Sequence, residues 1–306
     1  MTDHAEIQLP PSVVTLSEAK SKRRGGLYER SFRHFLRNRI AVMSLIAVIV
    51  IIIACIFASS LTSEDPIGRN ASARLLAPSL EYLMGTDSLG RDIFTRILYG
   101  GQVSLQVGFL SIILSAIVGT PLGLIAGYFG GRIDNIIMRV IDVILAFPSL
   151  ILIIWLVGLL GSNMYNVIFS IALFTLPVYS RLTRGQALSL AENDYVLAAQ
   201  TMGAGPIRIM FNHILPNLLG SLIVVTTLSV SGAIITGASL SFLGLGVRPP
   251  TPEWGAMLSD GRGYLRNAWW ISFFPGMTIT FLVLALNIIG DAVRDAFDPN
   301  VVTKSS

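Results

Sequence analysis

The sequence predicts an all-α polytopic membrane protein with six transmembrane helices. Three observations carry that reading. Of 306 residues, 53% are apolar and only 13% are charged, about half the charge of an average soluble chain. The mean hydropathy is +0.68. The apolar residues gather into six stretches, most of them near the roughly 20 residues needed to cross about 30 Å of hydrocarbon. Such a composition excludes a disordered chain, which is polar and charge-rich. It also disfavours a soluble enzyme, whose surface would need more charge.

Residues 1–26 are polar and mixed and read as a tail. A cleaved signal peptide would place its apolar stretch nearer the start. From Leu27 to Ile40, aromatic residues alternate with Arg30, Arg33, Arg37 and Arg39. This stretch is either a basic amphipathic helix on the membrane surface or a charged flank of the first span.

The expected spans are Ala41 to Leu61, Ser104 to Tyr128, Ile136 to Leu160, Met164 to Ser180, Leu218 to Leu245 and Ile271 to Ile289. Several contain Gly or Pro, including Pro148, Pro177 and Pro275, which membrane helices tolerate better than soluble ones. The chain then divides into a tail (1–40), the first span (41–61), an outer loop (62–103) and a core (104–300). That core holds five spans, an inner loop at 181–216 and an outer loop at 246–270. Pro249, Pro250, Pro252, Glu253 and Trp254 in the second outer loop predict a stiff, ordered cap.

Orientation follows from the basic residues. With the amino terminus inside, inner segments hold 15 of the 22 Lys and Arg and outer segments hold 7, so both termini are expected in the cytoplasm. Trp269 and Trp270 then abut the last span at its outer end, where an aromatic belt is expected.

Little in the chain suggests chemistry. A lone Cys55 allows no intrachain disulfide, and His4, His34 and His213 are too scattered to form a ligand set. None of the three lysines follows a glycine-rich phosphate loop, so no nucleotide site is expected. Asp142 lies within the third span, where an intramembrane carboxylate is a functional candidate by default. Arg139 at i−3 favours a local ion pair or cap instead. Asp87 and Asp92, beside Arg91 and Arg96, read as structural pairing and turn capping rather than a hydrolytic pair. Thr226, Thr227, Ser229, Ser231, Thr236 and Ser239 in the fifth span either line a polar cavity or serve helix packing.

The inner loop is the most informative stretch. Asn193 or Asp194 can cap a helix. Tyr195, Ala198, Ala199 and Met202 follow at i, i+3, i+4 and i+7, giving an apolar stripe. Gly203 stands where a helix would end in a left-handed residue, and Gly205-Pro206 restarts one. Ile207, Met210, Phe211 and Ile214 give a second stripe, which Leu215-Pro216 ends. Two short amphipathic helices joined by a glycine turn are therefore expected on the inner membrane face. About 36 patterned residues exceed an ordinary connection and call for a partner.

Here the sequence resembles a known family. Ala198-Ala199, Gly203 and Leu215-Pro216 are similar to the EAA motif of permease subunits of ATP-binding-cassette (ABC) importers. Its E position is Leu197 here, and its I position is His213. The resemblance extends over roughly residues 30–300. It includes Gly85-Thr86-Asp87 with Gly90-Arg91-Asp92, Gly123 to Tyr128, Asp194-Tyr195-Val196, Ser241 to Gly246, Pro249 to Gly255, and the ending Gly290-Asp291, Arg294-Asp295 and Asp298-Pro299. These motifs look like the C-type permease of dipeptide, oligopeptide and glutathione importers.

The resemblance implies a type I importer permease (MetI-like) fold and alternating-access transport of peptides across a bacterial inner membrane. It implies no enzymatic site and no cofactor in this chain, with ATP and Mg held by partner ATPases. The implied partners are a second homologous permease in a heterodimer, two cytoplasmic ATPase subunits, an extracytoplasmic substrate-binding protein and the lipid bilayer; nucleic acid is not among them. The implied coupling residues are Ala198, Ala199, Gly203, Ala204, Gly205, Leu215 and Pro216. A self-sufficient carrier or channel is the alternative from another class. It would favour an inverted repeat or deep intramembrane charge.

Overall fold

A computed structural model of the chain describes residues 35–297. The expected tail and all but the end of the Leu27 to Ile40 stretch lie outside the described residues. Among the described residues there are nine principal helices: α1 (Arg39–Ile56), α2 (Ile93–Phe129), α3 (Gly131–Leu145), α4 (Ser149–Leu160), α5 (Met164–Ala191), α6 (Asp194–Thr201), α7 (Pro206–Phe242), α8 (Trp254–Gly261) and α9 (Trp270–Phe297). Five of them (α1, α2, α5, α7 and α9) are long and apolar enough to cross a membrane. The pair α3 and α4 makes a sixth if counted as one broken span.

The expected third span is thus not a continuous helix. α3 and α4 meet at 89° across Ala146, Phe147 and Pro148. Pro148 has no N–H to donate, and it pushes Phe147 out of the helical region. Asp142 also departs from expectation. It pairs with Arg181 of α5 at 2.6 Å, not with Arg139. One turn along α5, Arg184 grips Asp134 through Nε and Nη2. Two ion pairs therefore pin α3 to the far end of α5.

α1 starts at Asn38, whose side chain accepts the Ala41 N–H. It breaks at Phe57, and the Cys55 carbonyl there accepts a hydrogen bond of 2.7 Å from Gln102 of α2. α2 begins eleven residues before the expected Ser104, so the first outer loop ends at Asp92. Asp92 is the cap, accepting from the Thr95 N–H at 2.8 Å. Arg96 in its first turns is buried, donating to the Pro66 carbonyl and lying 3.6 Å from Asp87. Asp87 also accepts the N–H groups of Leu89 and Arg91 and the Arg91 guanidinium. The expected structural role of Asp87 and Asp92 is what the fold shows.

The centre of the bundle is the contact of α2 with α5. Gly119, Gly123 and Gly127 form one face of α2, four residues apart. A Cβ at 119 would lie 2.8 Å from the Leu176 carbonyl oxygen, and one at 127 would lie 2.7 Å from the Ala187 Cβ. At 123 it would run into the Ser180 carbonyl. The backbones can approach only because these side chains are absent, the usual device where lipid supplies no hydrophobic drive between helices. Ser180 Oγ donates to the Gly119 carbonyl at 3.1 Å across the seam.

The 246–270 connection is the ordered cap its prolines predicted. Glu253, 2% exposed, caps α8 through the Ala256 N–H at 2.8 Å and accepts from Ser104 Oγ at 2.9 Å. Burial pushes its carboxyl above the ordinary range, against hydrogen bonds from Gly255, Ala256, Ser241 and Ser104. Trp254 is wholly buried and donates to the Ile97 carbonyl; Trp270 donates to the Thr86 carbonyl.

In α7 the hydroxyls mostly serve the helices. Thr227, Thr236 and Ser239 bond carbonyls four residues back, Thr226 meets Tyr179, and Ser231 donates to Asn287 of α9 at 2.6 Å.

Candidate functional site

The expected inner loop is shorter and more ordered than its sequence limits. α5 continues ten residues beyond Arg181 to Ala191, and helix resumes at Pro206. Only 192–193 and 202–205 stand outside helices, so α6 is suspended between two long helices.

The turn between α6 and α7 is built from backbone bonds. The Gly203 N–H donates to Gln200 and the Ala204 N–H to Ala199, the paired 5→2 and 6→1 closure of a Schellman motif. That closure requires a left-handed residue, and Gly203 has φ +83°. Nothing stands within 4 Å of where its Cβ would be. Gly205 precedes Pro206 at the first helical position, where the missing N–H costs nothing.

α6 and the base of α7 rest on a small apolar cluster of Leu124, Ala187, Val196, Ile209, Met210, Ile214 and Leu218, with Tyr195, Ala204 and Leu215 beside it. The buried faces differ from the expected stripes. On α6 the inward residues are Val196 and Ala199, while Ala198 and Met202 face out. On α7 they are Ile209, Met210 and Ile214, while Ile207 and Phe211 face out. Both helices are apolar on more than one side, so periodicity alone did not select the face. Outward-facing Leu197, Met202 and Ile207 are 46%, 82% and 71% exposed. They flank the glycine turn as an apolar edge.

Contrary to expectation, Leu215-Pro216 does not end one helix and start another. Residues 206–242 form one helical path, with a π turn at Met210–Ile214. The wide turn accommodates Pro216, whose missing N–H an α register could not replace. Sequence reading passed over Asn217. Its amide donates to the His213 carbonyl at 2.5 Å and to the Tyr195 hydroxyl at 3.2 Å. An amide one residue after a helix-interior proline was the available signal, because such a side chain can bond the carbonyl four residues back.

The α6–α7 corner thus presents an exposed apolar edge at the end of a bundle of membrane-length helices. Residues 119–303 match the family described as binding-protein-dependent transport system inner membrane component. Residues 26–78 match the N-terminal transmembrane domain of oligopeptide transport permease C. A dipeptide transport system permease protein of Alkalihalophilus pseudofirmus is 43% identical, over 98% of this chain and 99% of its own length. Its counterpart in Haemophilus influenzae is 44% identical, over 88% and 93%. A glutathione transport system permease protein of Pectobacterium atrosepticum is 42% identical, over 94% and 96%. Among solved structures, a chain of the MetNI methionine ABC transporter in inward-facing form superposes with a TM-score of 0.53 at 19% identity, over 66% of this chain and 96% of that one. The fold is therefore the MetI-like one, and the chain belongs to the family of binding-protein-dependent transport system inner membrane components, the permease subunits of ATP-driven importers.

Proposed function

We propose that this chain is one of two homologous permease subunits of a peptide importer. Two cytoplasmic ATPases press on its α6–α7 turn, and an extracytoplasmic binding protein delivers substrate to the opposite face. The single observation that carries the coupling role is the Gly203 turn: a backbone-closed, left-handed corner flanked by exposed Leu197, Met202 and Ile207 and backed by a buried cluster. Nucleotide chemistry in another chain must reach the membrane helices through a protein contact, and this corner joins α5 to α7. Ala198, Gly203 and Gly205 lie on the exposed side and form the contact. Ala199, Ala204, Leu215 and Pro216 lie behind it and hold the shape. ATP and Mg belong to the partner subunits, and this chain contributes no cofactor ligand and no enzymatic step.

The substrate class is taken from relatives named for dipeptide and glutathione transport. The excess of Lys and Arg on segments at the α6 end supports the reading that this end and both termini face the cytoplasm of a bacterial inner-membrane protein.

Gly203→Val tests the coupling role in the reconstituted transporter. A β-branched residue resists positive φ, so substrate-stimulated ATP hydrolysis and uptake should both collapse while the subunit still inserts. Gly203→Ala meets no steric neighbour and should be milder. Normal stimulation and uptake by Gly203→Val would place the coupling contact elsewhere.

A further inference from the structure

The regular hydrogen-bond ladder of α7 is interrupted at its π turn. In the π turn the Leu215 N–H reaches five residues back, to the Met210 carbonyl. Pro216 offers no N–H to the Asn212 carbonyl. Two successive carbonyls, at 211 and 212, thus lose their ordinary donors, and a helix bends most readily where its ladder is interrupted. A bend here would let the α6 corner move while α7 stayed still.

One side chain spans the weak turn. Asn217, the first residue beyond the proline, donates at 2.5 Å to His213 on one side of the break. The same amide donates at 3.2 Å to the Tyr195 hydroxyl, which lies 3.5 Å from the His213 carbonyl. Tyr195 belongs to α6, beside the buried cluster. α6, the π turn and the rest of α7 therefore meet at one amide.

We propose that Asn217 is a positioning residue: its amide fastens α6 to the base of α7, so that displacement of the glycine corner is passed into the membrane helix instead of being absorbed by flexing at 210–217. This rests on the coupling role of that corner.

The test uses the complete transporter in proteoliposomes, with its ATPases and binding protein, and a radiolabelled dipeptide as probe. Asn217→Leu removes the amide at similar volume. The complex should still assemble and hydrolyse ATP, but dipeptide transported per ATP hydrolysed should fall about threefold or more, the range of single contacts within a coupling network. Asn217→Ser keeps a hydroxyl able to bond the carbonyl four residues back but not the reach to Tyr195, and should stay close to Asn217→Leu. Tyr195→Phe removes the α6 end of the same link and should lower the ratio comparably, and the double variant should be no worse than Asn217→Leu alone. An activity-independent readout is the distance distribution between nitroxides at Asp194→Cys and Ile235→Cys in a Cys55→Ala background. It should broaden in Asn217→Leu.

An unchanged transport ratio together with an unchanged distribution would overturn the proposal. So would loss of the ATPases from the Asn217→Leu complex, which would make the residue part of the contact or of the fold. Gly203→Val keeps the two ideas apart. If it couples normally, the corner itself is not the contact; if it uncouples while Asn217→Leu does not, only the role of Asn217 fails.

Discussion

Adding one methyl group at Gly123 should separate the two central helices. The new Cβ would lie well inside 3.0 Å of the Ser180 carbonyl oxygen, which belongs to the α5 backbone and cannot rotate away. Restoring an ordinary contact requires α5 to move back by about 1 Å, which forfeits a quarter to a half or more of the dispersion energy along the seam. The displacement also strains the 3.1 Å bond from Ser180 to Gly119. Overpacking of this kind costs about 1–3 kcal/mol, and the rigid backbone on both sides puts Gly123→Ala at the upper end. At about 2–4 °C per kcal/mol the unfolding midpoint of the purified subunit should fall by several degrees. Gly185→Ala is the matched control. It lies in the same α5 helix, with nothing within 4 Å of its Cβ, and the change from Gly to Ala favours helix by about 0.5–1 kcal/mol. Midpoints measured by tryptophan fluorescence in detergent should rank Gly185→Ala at or above the parent and Gly123→Ala well below it. Equal midpoints for the two variants would refute the account of the seam.

Three further outcomes are expected. Reversing one member of the α3–α5 pair, as in Asp134→Arg, should lower both stability and uptake, and Arg184→Asp in the same chain should restore part of each; a double variant no better than the single would remove the pair from the account. Glu253 gives a pH dependence. Its carboxyl is raised by burial, so the folded state binds the proton more tightly than the unfolded one. Its contribution to stability is therefore full below the ordinary carboxylate value and is lost as pH rises through the raised one. The midpoint difference between the parent and Glu253→Gln should shift against the parent over that window, and a pH-independent difference would contradict it. For topology, in a Cys55→Ala background an impermeant thiol reagent outside the cell should label Ser88→Cys and spare Ser189→Cys; labelling of Ser189→Cys in intact cells would invert the orientation.

Span number was legible because a bilayer imposes one requirement, a long apolar run, and composition reports that directly. The α2 start was not. Arg91, Asp92 and Arg96 look like a polar loop until Asp87 and the Pro66 carbonyl are seen to partner the two arginines and Asp92 to cap α2, and those contacts belong to the folded chain. Asp142 was matched to Arg139 for the same reason, since its partner Arg181 lies 39 residues away. Gly203 was readable because only glycine is at ease in the left-handed position that ends a helix. Which side of α6 faces inward was not, because Val196 and Met202 are both apolar and tertiary packing alone separates 0% from 82% exposure.

The glycine seam also has a bearing on how the protein is made. The face of α2 that carries Gly119, Gly123 and Gly127 is closed by α5, whose last residue, Ala191, follows Phe129 by 62 residues. At about 5–20 residues per second, a ribosome needs roughly 3–12 s to supply that stretch. Throughout that interval α2 is complete while its partner is unfinished, with bare backbone on the waiting side. Newly made α2 must be sheltered from lipid or from proteases until α5 arrives. A substitution in α5 that delays pairing would then lower the amount of protein reaching the membrane, even where the finished structure tolerates it.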